Sequence, residues 1–153
     1  MKVKKLVYIA LVLTILLYGS ECWSLTEKLY NRIRAFHFRC IRSMCRVTRL
    51  HTRRHHISNA DLLKRTGLQT IDAYLSKRQL RWAGHVARMP NNRLPRKMLS
   101  CWIDHKRPRG APQMTYGRSL RKVLKKAQIP VETWHELAQD RVRWRERITF
   151  NAL

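Results

Sequence analysis

Acidic residues are scarce in this sequence. Its 153 residues include 9 Asp and Glu against 33 Lys and Arg, which gives a formal net charge of +24 at pH 7. So much charge of one sign repels itself in a compact chain and favours a polyanionic partner, either nucleic acid or an anionic membrane surface. Disorder is not indicated, because 44% of the residues are hydrophobic and five are tryptophan.

The sequence also lacks the motifs of enzyme active sites. Its aspartates stand singly, without the pair that holds Mg²⁺ for nucleotidyl transfer. It has no phosphate-binding glycine loop, no H-E-x-x-H motif and no G-x-S-x-G motif. We therefore predict that the chain is not an enzyme, has no catalytic residues and needs no cofactor.

Cysteine is too scarce for a disulfide-dense secreted scaffold, with four in the whole chain. Cys40, Cys45, His51 and His55 could suggest a zinc site. A zinc finger of the two-cysteine, two-histidine type needs about twelve residues between the second cysteine and the first histidine. Only five stand here. The two cysteines would also lie about 140° apart around a helix, so we predict no bound metal.

No apolar run reaches the roughly 18 residues that a membrane-spanning helix needs. The run over residues 6–18 has 13 residues, interrupted only by Thr14. It fits the core of a signal peptide behind lysines, and it fits equally a helix buried on all sides inside a larger protein. Hydropathy alone would favour a signal or an anchor over residues 1–23. Glu21 and Trp23 are poor neighbours for a cleavage site near Cys22, so we expect no cleavage there.

Hydrophobic periodicity predicts an all-α fold, because no segment shows the alternation of a half-buried strand. Apolar residues recur at steps of three and four over residues 25–47, which predicts a long amphipathic helix with one buried stripe. The stripe consists of Leu25, Leu29, Ile33, Phe36, Cys40, Met44 and Val47. Residues 49–56 (RLHTRRHH) are predicted to form a basic loop.

Capping residues mark the next two helices. Ser58 or Asn59 begins a short helix that Gly67 ends, and Thr70 begins a helix that Pro90 stops. The apolar face of the second helix is predicted to consist of Ile71, Leu75, Trp82, Val86 and Met89.

Proline interrupts the rest of the chain. Short helices are predicted over residues 96–103 and 115–127. Pro130 suits the first turn of a single last helix, which would turn Trp134, Leu137 and Trp144 inward.

Basic side chains follow the helical period and are the candidates for nucleic-acid contacts. Residues 25–57 carry nine of them against one acid, and residues 91–127 carry eleven against one. No base-reading module is recognisable, so we expect RNA or DNA to bind through phosphates with little sequence preference. An ordinary solvated helix face is the alternative for each stripe. The candidates are Lys28, Arg32, Arg39, Arg42, Arg46, Lys77, Arg81, His85, Arg88, Arg107, Arg109, Arg118, Arg121, Lys122 and Lys125.

The stretch HKRPRGAPQ (105–113) approaches the R-G-R-P core of peptides that lie in the minor groove of A·T-rich DNA. Ala111 stands where the second arginine of that core would be, so one of the two arginines that would contact the groove is missing. We therefore interpret the stretch as following phosphates without a strong base preference.

Four segments together resemble the tail of non-LTR (LINE-type) retrotransposon reverse transcriptases. In that family an L-L-Y-G-S-E-x-W pattern is followed by a basic helix, R-W-x-G-H-V-x-R-M-P, a K-R-P-R-G-R-P-like loop and W-x-x-L-A-x-D-R-x-x-W. The four segments here are LLYGSECW (16–23), LRWAGHVARMPNNRLPRK (80–97), KRPRGAPQ (106–113) and WHELAQDRVRWR (134–145).

The resemblance implies the thumb and tail of such a polyprotein, without the polymerase aspartates and without the endonuclease domain. It implies a chain that begins at a methionine internal to the parent and a first helix that packs in the absent polymerase palm. The implied segments are a thumb-like segment over residues 1–57, a segment with the R-W-x-G-H motif over residues 58–90, and a basic Pro-containing tail over residues 91–153.

We therefore expect the chain to be a non-catalytic fragment that binds the phosphates of RNA or DNA. We expect it inside the cell, in the nucleus or cytoplasm. Its partners are nucleic acid and the upstream palm, and we expect no membrane partner. Two alternatives stay open. One is a secreted or membrane-associated cationic protein with a true signal, and the other is a non-functional retroelement relic.

Overall fold

The computed structural model describes the backbone of residues 1–104 and 115–150 and the side chains of residues 1–99 and 115–149. Within these ranges the chain consists of helices and turns, nearly all of the helix being α, without a strand, which confirms the expected fold class. The helices are α1 (Lys2–Val7), α2 (Thr14–Leu16), α3 (Glu27–Met44), α4 (Arg49–Arg54), α5 (Asn59–Thr66), α6 (Ile71–Ala87), α7 (Leu94–Asp104), α8 (Tyr116–Lys126), α9 (Trp134–Gln139) and α10 (Arg141–Phe150).

The chain forms two compact units. The first consists of Met1–Tyr18 and Glu27–Ala73, and the second of Gly19–Thr26 and Tyr74–Leu153. The boundary thus falls inside α6. The three segments expected from the sequence stay a prediction.

The N-terminal apolar run packs on its own downstream residues through one face. From α1 it continues through a π-helical stretch (Tyr8–Leu13) into α2, and it buries Tyr8, Leu13 and Leu17. Leu6 and Ile15 on the other side are 66% and 76% exposed. Burial of this run on all sides, which the sequence suggested for a larger protein, stays a prediction. In the described part of the chain, no helix has the length and apolar character needed to span a bilayer.

The buried face of α3 differs from the predicted stripe. Its fully buried residues are His37 and Ile41, whereas Leu29 and Phe36 of the stripe are 44% and 39% exposed. The reason is that polar residues of α3 find partners within the first unit. Arg34 forms two hydrogen bonds from Nε, of 3.1 and 3.2 Å, to the carboxylate of Asp72. A pattern of apolar residues cannot predict a helix face that packs through polar side chains.

His37 is the most enclosed polar group of α3. Its Nε2 lies 3.0 Å from the carbonyl oxygen of Gln69, and its Nδ1 lies 2.7 Å from the hydroxyl of Tyr8. A carbonyl only accepts, so Nε2 carries the proton and Nδ1 accepts from Tyr8 in the neutral ring. Burial lowers the pKa of His37 below its ordinary value, against the opposing effects of the Gln69 carbonyl and Asp72.

The loop expected over residues 49–56 is wrong in part, because residues 49–54 form α4. The hydroxyl of Thr48 accepts the backbone N–H of His51 at 3.1 Å and so caps this helix. The predicted ends of α5 are confirmed. Ser58 and Asp61 form a reciprocal capping box, and Gly67 follows with a left-handed φ of +61°.

The core of the second unit is built around two tryptophans. Trp134 and Trp144 are buried with ring centroids 6.1 Å apart. The predicted helices over residues 96–103 and 115–127 are confirmed as α7 and α8. The rest of this core consists of Leu80, Ala83, Val86, Ala87, Leu99, Leu120, Leu124, Ala127, Ile129, Ala138 and Ile148.

The single last helix expected from Pro130 is wrong. The structure has two helices, α9 and α10, and the first begins four residues after Pro130. Asp140 separates them with an extended ψ of 106°. Its carboxylate accepts the N–H groups of Val142 and Arg143 at 2.9 and 3.1 Å, which caps α10.

Candidate nucleic-acid interface

Helix α6 presents four basic and aromatic side chains on one face. Thr70 begins the helix by accepting the N–H of Ala73 at 3.2 Å, as predicted. Arg78, Arg81, Trp82 and His85 then follow at the i, i+3, i+4 and i+7 spacing that places side chains together. Arg81 and His85 are exposed, while Arg78 and Trp82 are half-buried.

These four residues line an open cavity of about 400 Å³ together with Glu21. The rings of Trp82 and His85 lie 5.7 Å apart at an interplanar angle of 43°. The cavity, which we call the α6 cleft, therefore combines an aromatic wall, two guanidinium groups, an imidazole and one carboxylate. Such a mixture suits a ligand with both an aromatic ring and negative charge.

Glu21 reaches the cleft because the segment before α3 lies along α6. The side-chain amide of Gln79 donates to the carbonyl oxygen of Trp23 at 3.1 Å. Ser20 of the same segment is fully buried. Burial raises the pKa of Tyr116, with the acidic groups of Cys22 and Glu21 adding to the effect. Residues 19–23 are thus part of the second unit.

The underside of α6 is fixed by the C-terminal helices. The indole N–H of Trp144 donates to the carbonyl oxygen of Leu80 at 3.1 Å. Arg88 donates to the carbonyl oxygen of Ala138 at 2.6 Å, and Gln139 donates to that of Ala87 at 3.0 Å. The LRWAGHVARMP and WHELAQDRVRWR segments therefore fold as one assembly.

Arg88 differs from the other predicted phosphate contacts in this respect. It is half-buried, and its guanidinium is hydrogen-bonded inside the second unit. Burial, reinforced by the nearby charge of Arg141, lowers its pKa. The guanidinium of Arg88 therefore supports the packing of the second unit, and binding is not its main role. Lys77, another predicted phosphate contact on α6, is half-buried.

Helix α8 carries the most sharply divided cationic face. Leu120 and Leu124 are buried in the core, and the hydroxyl of Thr115 caps the helix at its start. On the outer side, all four predicted contacts of this helix are exposed: Arg118, Arg121, Lys122 and Lys125. The predicted residues Arg107 and Arg109, and the whole KRPRGAPQ segment, lie outside the described residues.

The first unit carries its own cationic edge. Four of the five predicted residues of this edge are exposed: Lys28, Arg32, Arg39 and Arg46. The fifth, Arg42, is half-buried. Arg34 lies on the same helix but is paired with Asp72 at 2.5 Å.

Sequence reasoning missed several residues that the fold adds to these surfaces. Because α4 is a helix, it presents the exposed cations Arg49, Arg53 and Arg54, which the expected loop did not single out. Arg78 could have been found from its helical spacing to Arg81, Trp82 and His85. Glu21 could not, because only the folded chain brings it to α6.

The four residues of the possible zinc site do not gather into one cluster. No group of three or more potential metal ligands occurs among the residues that the structure describes. Cys40 and Cys45 are half-buried free thiols, and burial raises the pKa of Cys40. His51 and His55 stack on α4 with centroids 4.3 Å apart. The absence of bound metal stays a prediction.

Comparison with known proteins gives one informative similarity. No family model matches the chain. No solved structure matches it. In an alignment of 148 positions that covers 94% of its length, the chain is 30% identical to an uncharacterized transposon-derived protein of Caenorhabditis elegans. It spans 53% of that relative, about half of the relative's length. The similarity indicates a transposon-related origin.

Proposed function

We propose that the chain is a non-catalytic, nucleic-acid-binding piece of a retrotransposon reverse transcriptase. Its cationic helix faces would hold the phosphates of RNA or DNA in the nucleus or cytoplasm, with little preference for sequence. Helix α8 carries this proposal, because it buries Leu120 and Leu124 while its predicted cations remain exposed. A helix so oriented can bring several cations to one polyanion at once.

The small number of acids supports the same function. Among the described side chains, the ion pairs of the chain involve Arg34 with Glu27 and Asp72, and Arg143 with Asp140. With 33 basic residues and 9 acids, most cations have no acid to neutralise them. A phosphate backbone would supply that charge and would release its counterions in doing so.

The reverse-transcriptase assignment is supported by the transposon-derived relative and by the way the motif segments pack. Segments that resemble one family tail, 80–89 and 134–145, meet through Trp144, Arg88 and Gln139. In a full-length parent this assembly would hold template, primer or target DNA beside the polymerase palm. A relic of such an element would keep the same fold, and the binding experiment tests the chain whether or not its gene is active.

Salt-dependent binding tests the proposal. We expect purified full-length chain to bind a fluorescent single-stranded RNA and a duplex DNA of mixed sequence with micromolar or tighter affinity. Six phosphate contacts would give a slope of log affinity against log salt of about −4 to −5. Absence of binding to both probes at low salt would contradict the proposal.

A matched pair of variants locates the surface. Arg121→Gln with Lys125→Gln removes two exposed charges one turn apart on α8 and should reduce the slope by about 1.4 to 1.8. Arg145→Gln with Arg147→Gln removes two exposed charges from α10, within residues 128–153 whose four acids match their four basic residues, and should leave the slope nearly unchanged. Equal losses in both pairs would show a diffuse charge effect and no α8 surface.

A further inference from the structure

We propose that the α6 cleft is a binding site for one unpaired nucleotide, with guanine as the preferred base. The proposal rests on the proposed nucleic-acid function and adds to it a defined ligand. General attraction of phosphates to cations would not need an aromatic wall or a carboxylate, and the cleft has both.

The aromatic wall favours a base over a phosphate alone. Trp82 packs against the core of the second unit on one side and lines the cleft with the remainder of its surface. Its position is therefore fixed before a ligand arrives. A tryptophan held in this way offers a flat surface for stacking of an unpaired base, and His85 stands 5.7 Å away at the same wall.

The guanidinium groups of the cleft suit the phosphates that flank such a base. Arg78 and Arg81 lie on the same face of α6 as Trp82. Each guanidinium can donate two parallel hydrogen bonds to phosphate oxygens. A stacked base with a phosphate on either side would thus be held along the length of the helix.

Glu21 determines which base fits. A carboxylate repels phosphate, so the part of the ligand beside Glu21 must be a hydrogen-bond donor. Among the described residues Glu21 forms no salt bridge, although two arginines line the same cleft. Guanine presents two parallel donors, N1–H and N2–H, to a carboxylate, whereas adenine, cytosine and uracil present one on that edge.

The size and openness of the cleft are consistent with a nucleotide splayed out from a single strand. Its volume of about 400 Å³ falls within the range of small-ligand sites. It opens to solvent beside the exposed Arg81 and His85, so a strand could continue past it. A base paired in a duplex could not reach Trp82 without leaving its stack.

Oligonucleotides with one informative base test the site. The probes are oligo(dT) strands of about 12 nucleotides that carry a single central dG or a single central dA. We expect the wild-type chain to bind the dG strand at least about fivefold more tightly than the dA strand. Both strands carry the same charge, so the difference reports the base.

Glu21→Gln is the decisive variant, with Glu132→Gln as its control. The amide keeps the size of the side chain but offers one acceptor and one donor, a pattern that matches adenine. We expect the dG preference to vanish or to reverse toward dA, while the salt slope stays unchanged. Glu132 is exposed and does not line the cleft, so its variant should keep the wild-type preference. Trp82→Phe keeps a stacking ring at this position. It should lower the affinity for both strands by no more than about twofold to threefold and keep the preference for dG.

The outcomes separate the two proposals. Steep salt-dependent binding with equal affinity for dG and dA strands would overturn the nucleotide site and leave the proposed function intact. A dG preference that survives Glu21→Gln would overturn the role of the cleft in base choice. Absence of binding to every strand at low salt would overturn both.

Discussion

Gly84 of α6 lies directly against the indole ring of Trp144, with no room for a side chain between them. A β-carbon placed on Gly84 would fall 2.6 Å from Cδ1 and 2.8 Å from Cε2 of Trp144. The same indole donates its N–H to Leu80 one turn earlier on α6. Gly84 therefore allows Trp144 of α10 to pack directly on the backbone of α6. A glycine is required here for space, and not for an unusual backbone conformation.

Gly84→Ala should destabilise the chain, against the usual trend for helices. Alanine in place of glycine within a helix normally stabilises by about 0.5 to 1 kcal/mol. Here the added methyl group overlaps the buried ring of Trp144, and overpacking costs about 1 to 3 kcal/mol. Urea unfolding followed by circular dichroism measures the sign.

Trp144→Phe provides the control for this mechanism. The smaller ring leaves space at Gly84, so the two substitutions combined should cost less than the sum of their separate effects. Simple additivity would show that the methyl group acts elsewhere.

The pH dependence of stability should carry a contribution from His37. Burial lowers the pKa of this imidazole in the folded chain, so between the folded and unfolded pKa values the unfolded state binds more protons. The contribution is present above the unfolded pKa of about 6.5 and is lost as the pH falls from there through the folded pKa. Thermal unfolding between about pH 8 and about pH 5 should show this loss.

His37→Gln should flatten that part of the profile, since an amide does not titrate in this range. His51→Gln, an identical change at an exposed position on α4, is the matched control and should keep the wild-type profile. If the two variants behave alike, the decline in acid comes from other groups.

The two sides of the N-terminal helix should respond differently to substitution. Leu13 is buried, and Leu13→Ala should cost about 2 to 5 kcal/mol through the lost contacts and the cavity left behind. Leu6→Gln with Ile15→Gln changes exposed positions and should alter stability by less than about 0.5 kcal/mol while raising the soluble yield. Chemical unfolding and the soluble fraction after expression measure the two effects.

A reversed result would identify a different packing of this helix. Large destabilisation by the two glutamines would mean that the outer side is covered in solution. Removal of residues 1–24 would also delete side chains that bond within the first unit. Tyr8 bonds His37, and Lys5 donates to the carbonyl oxygen of Gly67 at 2.6 Å. Truncation should therefore destabilise the first unit.

Local signals in the sequence predicted the helix ends well. Ser58, Gly67 and Thr70 act through hydrogen bonds or backbone conformations within a few residues, so their effect can be recognised without the tertiary fold. The orientation of α3 could not be predicted in this way. Arg34 is paired with Asp72 and the buried His37 bonds Tyr8, and both of these partners are distant in sequence.

The candidate site shows the same division. The spacing of Arg81 and His85 along α6 was visible in the sequence, and both residues line the cleft. Glu21 enters the cleft only because Gln79 holds the carbonyl group of Trp23. Asp140 likewise separates α9 from α10 by capping α10. The hydrophobic period of the sequence is the same for one continuous helix and for two, so it did not predict this break.

Charge reversal at Lys77 and Arg81 of α6 separates phosphate contact from simple solvation. Lys77→Glu with Arg81→Glu reverses two charges, and Arg88 is left unchanged because its bond to Ala138 supports the fold. If both side chains contact phosphates, the slope of log affinity against log salt should fall in magnitude by about 1.4 to 1.8. A solvated helix face would tolerate the reversal with the slope unchanged.

The control for this pair is a charge reversal of the same size at Arg145 and Arg147 of α10, which accounts for the change in overall charge. Anisotropy titrations of a single-stranded RNA at several salt concentrations give the slopes. A fall that is equal in both pairs would assign the effect to net charge alone. No fall at α6, combined with a fall on α8, would place the phosphate contacts on α8 and leave α6 to its packing against Trp144.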